Sequence, residues 1–102
     1  MIKLSLLVTL EAKPGKEEEV EAFLKTGADS AIDETKTITW YAFKLGPATF
    51  GIFDTFEDED GREAHLTGEI AKALLEKAPD LFLSTPSIQK GEILGVKTSK
   101  VD

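Results

Sequence analysis

The chain has 102 residues, no cysteine and one histidine, with 19 acidic against 12 basic residues and a formal net charge of -7. This length allows a single domain, 1–102, with a modest core that gains from a partner. The lack of cysteine excludes disulfides, thiolate nucleophiles and thiolate metal sites, one histidine leaves too few ligands for a protein-built zinc site, and the negative charge argues against nucleic acid or an anionic membrane as the main partner.

Ile2, Leu4, Leu6, Val8 and Leu10 alternate with Lys3, Ser5, Leu7 and Thr9. This predicts a first strand with one fully apolar face and Leu7 in the middle of the other. The run is brief and E-A-K-P-G-K follows it without a small-residue cleavage signal, so a strand is preferred over a signal peptide. No apolar run is long enough to span a membrane, and a cytoplasmic protein is expected.

Pro14-Gly15 ends the strand. Val20, Phe23 and Leu24 then mark one helical stripe, with Glu17, Glu18, Glu19 and Glu21 facing water or the positive helix end. Gly27 is a candidate stop. Residues 28–36 read as a polar connection, with Ala31 and Ile32 as anchors.

Thr37 to Leu45 is a second strand. Thr37, Thr39, Tyr41 and Phe43 share one face; Ile38, Trp40, Ala42 and Lys44 share the other. Gly46-Pro47 turns the chain into a third strand, 49–56, through a loop of three or four residues. On that strand Phe50, Ile52, Asp54 and Phe56 share a face, and Thr49, Gly51, Phe53 and Thr55 the other. Asp54 is the exception on its apolar face, and a place at the strand end would let water or a backbone donor reach it.

The run E-D-E-D-G breaks the pattern. Asp60 and Glu63 have capping-box spacing, with Asp58 as a competing cap. A second helix is predicted from about Gly61 to Lys77. Leu66, Ile70 and Leu74 form its stripe, and His65, Glu69, Lys72 and Glu76 a flanking strip. Pro79 ends or kinks it near Ala78. A last strand is expected over 88–96, weakened by Gly91 and Gly95, with a loose tail after Lys97.

The order β-α-β-β-α-β is that of the ferredoxin-like fold, an α+β architecture with both helices on one face of a four-stranded antiparallel sheet. The strands send apolar side chains to both faces. Leu7, Phe53 and one aromatic set of the second strand then need a cover, and a face-to-face homodimer about a C₂ axis supplies it.

His65 is the only side chain with an unperturbed pKa near neutrality. It reads as a proton donor or acceptor beside a pocket between helix and sheet, or as a partly buried residue bonded to water or a carboxylate. Trp40, Tyr41, Phe43, Phe50, Phe53 and Phe56 can line a flat apolar ligand site or simply pack core and interface. Asp54 can orient a substrate hydroxyl, or hold Arg62 or a loop amide, with structural pairing to Arg62 the expected outcome. No glycine spacing makes a phosphate loop.

The strand around Trp40, the segment G-P-A-T-F-G-I-F-D-T-F at 46–56 and R-E-A-H-L at 62–66, with the helix and strand that follow, resemble the antibiotic biosynthesis monooxygenase family of dimeric α+β barrel proteins. The resemblance implies a dimeric barrel with a cavity between sheet and helices in each subunit. It implies oxidation of a small anthrone- or quinol-like aromatic by molecular oxygen, without metal, flavin or other cofactor. It makes His65 the catalytic residue and Trp40 a cavity or sheet aromatic. Together with the residue-level reading, the expected substrate-binding set is Trp40, Tyr41, Phe50, Asp54 and Arg62. Related haem-degrading members use an asparagine, and this chain has none. The alternative is a non-catalytic dimeric protein that binds a small ligand or serves a stress response.

Overall fold

In the computed structural model, which describes residues 1–99, the first alternating run becomes β1 (Leu4–Glu11). Its period-two pattern sends Leu6, Val8 and Leu10 into the core and leaves Leu7 on the opposite face. The chain continues through α1 (Glu17–Ala31), β2 (Thr37–Lys44), β3 (Thr49–Phe56), α2 (Glu59–Leu66), α3 (Glu69–Leu81) and β4 (Ser87–Glu92). The four strands form one antiparallel sheet in the order β2-β3-β1-β4, so β1 and β3 are central and β2 and β4 are edges. This is the ferredoxin-like α+β arrangement. Of the tail expected after Lys97, positions 100–102 lie outside the described residues.

The core sits between one sheet face and the helices. Val8, Leu10, Phe50 and Ile52 from the sheet meet Val20 and Leu24 of α1 and Leu74 and Leu81 of α3. Each such side chain stabilises the fold by roughly 1.5–3 kcal/mol when fully buried. Phe82, just past α3, pairs with Ala12 in an isolated bridge and closes one end of this layer.

Four expectations change. The single helix over 61–77 is two helices, because Thr67 and Gly68 interrupt it. The Thr67 hydroxyl donates back to the Glu63 carbonyl, and the Gly68 amide bonds His65 O at 3.1 Å. A Cβ at Gly68 would stand 3.1 Å from Ala64 O, so glycine fits the tight step. Gly27 does not stop α1; the helix runs through it to Ala31, and the glycine makes room for the Trp40 ring. Pro79 lies inside α3, which continues to Leu81. The last strand ends at Glu92, four residues short of the expected limit. The hairpin loop of residues 45–48 has the predicted length, closed by Leu45 N to Thr49 O at 2.8 Å.

A β-bulge in β2 also alters one face. Thr37 opposes Phe56 and Thr39 opposes Thr55, leaving Ile38 as the extra residue. Thr37 is therefore not on the face of Thr39, as strict alternation predicts. It pairs with the core-facing Phe56, beside the helices.

Candidate functional site: a histidine between two carboxylates

Asp54 lies within β3, not at a free strand end, and faces the helices from between Leu6 of β1 and Trp40 of β2. Its relative exposure is 0%. A carboxylate so placed is tolerated only with a partner. That partner is His65, whose Nε2 stands 2.8 Å from Asp54 Oδ2, an ion-pair distance rather than an aligned hydrogen bond.

The start of α2 explains how His65 reaches it. Asp58, not the Asp60–Glu63 box, caps the helix: its side chain accepts from the Gly61 amide at 2.9 Å. From that start Gly61 and Arg62, four and three residues before His65, fall with it on the buried side. A Cβ at Gly61 would sit 3.1 Å from Lys36 O. The glycine thus lets α2 lie close against residues 33–37, which carry Glu34.

Glu34 Oε1 lies 2.5 Å from His65 Nδ1 and also accepts from the Thr37 hydroxyl at 3.1 Å. The bulge at Ile38 makes the second contact possible by turning Thr37 to this side. Phe56 packs beside the imidazole, ring centroids 5.6 Å apart. Both ring nitrogens therefore face carboxylate oxygens, and only the doubly protonated imidazolium can donate to both. Burial alone pushes the His65 pKa down, but Asp54 and Glu34 outweigh it and hold the pKa above the ordinary value of 6.5.

Arg62 does not pair with Asp54. Its guanidinium takes both oxygens of Glu59, at 3.1 and 2.7 Å, and donates to the Ser5 and Gly91 carbonyls at 3.3 and 3.2 Å. It ties α2 to β1 and β4.

Openings of about 480 and 240 Å³ border Glu34, the smaller one also His65, and Trp40 lines two further spaces, an inner and an outer one. The inner one, about 20 Å³, is bounded by Asp54, His65, Trp40 and apolar side chains that include Leu6, Ile70 and Leu74. It has room for about one water molecule. Trp40 Nε1 and Asp54 Oδ1 are buried there without a hydrogen-bond partner among the described residues. The outer space, about 430 Å³, opens between α1 and the β2 edge, with Leu24, Ala28, Trp40, Tyr41, Phe43 and Phe50 among its walls. This volume suits a small organic ligand.

Of the side chains singled out in the sequence, Trp40, Tyr41 and Phe50 meet in the outer pocket, and Trp40, Asp54 and His65 meet at the inner one. Arg62 stands apart from both. Glu34 had no sequence signal: it is one acidic residue in a polar connection, far from His65 along the chain. No group of three or more histidine or acidic side chains among the described residues is arranged to hold a metal ion. In this cluster the carboxylates occupy opposite sides of the imidazole, so they do not converge on one ion with a ring nitrogen. Among the described residues no helix is long and apolar enough to cross a membrane.

No family model matches the chain, and no curated protein sequence matches it. Among solved structures, a protein of unknown function from Nitrosomonas europaea, NE2512, is 48% identical, with a TM-score of 0.94 over 99% of this chain and 98% of that one. Two more distant structures carry the provisional name of antibiotic biosynthesis monooxygenase. The one from Bacteroides thetaiotaomicron is 22% identical, with a TM-score of 0.77 over 95% of this chain and 96% of that one. The one from Caulobacter crescentus is 14% identical, with a TM-score of 0.79 over 92% of each. At these identities the last two show a shared fold.

Proposed function

We propose that this chain, which belongs to the same family as the Nitrosomonas europaea protein of unknown function, is a small cofactor-independent monooxygenase for a quinol- or anthrone-like aromatic. The carrying observation is that Trp40 lines both the ligand-sized pocket and the inner cavity of Asp54 and His65. An aromatic seated against the indole is one ring away from a buried proton acceptor. The names of the distant structural neighbours point the same way.

In this reading Asp54 Oδ1, free of partners, takes the proton from the activated C–H or O–H of the substrate through the one water molecule that the inner cavity has room for. His65, charged between its carboxylates, offsets the buried negative charge of Asp54 and holds it in place. The deprotonated ring then reduces dioxygen itself. For an anthrone the balance is one methylene and one O₂ in, one carbonyl and one water out. Trp40 and Phe50 supply a dry, flat surface on which the ring is oriented.

The exposed face of the sheet supports a homodimer. Leu7, Tyr41 and Phe43 are 37%, 60% and 36% exposed on it, with Phe53 beside them. A C₂ pairing of these faces would cover them. Sedimentation at micromolar concentration tests this, and a monomer would overturn it.

A second reading has its own support. Both His65 nitrogens are engaged and the inner cavity is small, as in a structural tie with a separate binding pocket. Oxygen uptake by metal-free protein over a panel of anthrones and hydroquinones separates the two. Uptake lost in Asp54→Asn and His65→Gln, with pocket binding retained, supports the enzyme. Uptake that both variants preserve, or binding with no uptake over the whole panel, favours the non-catalytic protein.

A further inference from the structure

The mouth of the outer pocket carries charge of the opposite sign to the chain. Lys25 of α1 and Lys44 of β2 both border the pocket, and the Glu21 carboxylate bridges them, Oε2 3.3 Å from Lys25 Nζ and Oε1 3.1 Å from Lys44 Nζ. Two ammonium groups share one carboxylate, which leaves a local excess of one positive charge in a chain of net charge -7. Lys44 Nζ also lies 5.7 Å from the centroid of the Phe50 ring, which forms part of the pocket wall. The cation thus lies beside the edge of the apolar surface, with its side chain about half exposed at 49%.

The rest of the lining is mainly apolar and aromatic: Leu24 and Ala28 on one side, Trp40, Tyr41, Ala42, Phe43 and Phe50 on the other. An apolar slot of ligand size with paired cations at its rim fits a flat ring that ends in an anionic group. The two Glu21 oxygens already hold the positions that such a group would take. The neighbouring ammonium groups hold the Glu21 pKa below the ordinary carboxylate value, so this internal anion is charged at neutral pH. Glu17, Glu18 and Asp29 stand one turn from these groups on α1 but do not line the pocket, and repulsion from acidic residues farther off is screened beyond about 8–10 Å at physiological salt.

We propose that the outer pocket selects an aromatic anion, its ring against Trp40 and Phe50 and its charged group between Lys25 and Lys44, displacing Glu21. The assignment rests on the small-aromatic reading above and adds the charge of the ligand to it. Glu21 is then a built-in competitor. It sets a threshold that a neutral ring of the same shape gains nothing by crossing, while an anion replaces one carboxylate with another and keeps both cations paired.

The test is calorimetric titration of the whole chain with 2-naphthoate and with 2-naphthamide, which share a ring system and differ in charge. The expected result is naphthoate binding about tenfold tighter at physiological salt, with the gap closing at about 1 M salt. Glu21→Gln should tighten naphthoate several-fold and leave naphthamide unchanged. Lys44→Gln should erase the preference. Glu69→Gln, which makes the same change in net charge on α3, controls for the overall field and should leave the ratio of the two affinities as in the wild type. Equal binding of both probes, or Glu21→Gln weakening naphthoate, overturns the charge assignment and leaves a neutral aromatic pocket. Binding of neither probe removes the pocket reading itself, and the charge assignment with it.

Discussion

Glu34 Oε1 and His65 Nδ1 lie 2.5 Å apart, joining the segment before β2 to the penultimate residue of α2. With Asp54 on the other ring nitrogen, this makes the charged form of His65 the one that the fold favours. Its pKa is raised on folding, so its contribution is fully present below the unfolded value of 6.5 and is lost as pH rises through the folded value. The urea midpoint of the wild type should therefore fall, relative to His65→Gln, as pH goes from about 6 to about 9. A constant difference across that range would mean that the ring is neutral in the folded protein.

Asp54→Ala leaves the imidazolium with an unfilled side in the core. Breaking a buried pair from one side costs about 3–5 kcal/mol, a large share of the stability of a domain this size. Asp54→Asn keeps the shape and an acceptor and should cost less. Chemical denaturation at pH values below and above the His65 titration measures both, and the penalty of Asp54→Ala should shrink where His65 is neutral.

Gly27 and the Trp40 indole form a packed pair across α1 and β2. A Cβ at Gly27 would stand 3.1 Å from Cη2 of the indole. Gly27→Ala gains up to about 1 kcal/mol in helix propensity and meets the ring at the same time. The two effects oppose, so stability should change little while the tryptophan emission shifts. Gly27→Leu should push the indole aside, lower stability by about 1–3 kcal/mol as overpacking does, and weaken ligand binding in the outer pocket.

Gly51 and Phe43 are cross-strand partners, and the Phe43 ring covers the glycine on the open face of the sheet. A Cβ at Gly51 would come within 2.3 Å of that ring, so Gly51→Ala must displace it. Because the face is half exposed, the expected loss of monomer stability is modest, about 1 kcal/mol. In the proposed homodimer the larger effect should appear in sedimentation, as a displaced Phe43 would weaken self-association through this face.

Asp58→Ala removes the side-chain acceptor that the Gly61 amide uses. The helix start should lose about 1 kcal/mol. As that start sets the rotation of α2, the resonances of His65 should move as well, which a purely local fraying of the first turn would not produce.

The first strand and the start of the first helix could be read from period alone, because Leu6, Val8 and Leu10 or Val20 and Leu24 carry the pattern without interruption, whereas the bulge in β2 and the ends of α1 and β4 could not. Asp54 and His65 stood out for a sound reason: each is a polar group in an apolar setting. Their pairing was not legible, since Arg62 offers Asp54 an equally good partner on paper. The choice is made by geometry, through the Asp58 cap and the carbonyls that take up Arg62. Glu34 was hidden for the same kind of reason. Its approach depends on the close packing allowed by Gly61, which no spacing rule reports, while the bulge at Ile38 adds Thr37 as a second contact. The break at Thr67-Gly68 was masked because Leu66 and Ile70, on either side, keep the helical spacing across it.

Glu34, Asp54 and His65 all belong to the continuous stretch from residue 34 through β2, β3 and α2, and Trp40, Lys44 and Phe50 of the outer pocket belong to it too, whereas Glu21 and Lys25 sit on α1. Inheritance can therefore act on one half of the pocket rim alone. Drift along the exposed side of α1 changes the charge at the rim while the buried cluster and the aromatic wall stay as they are.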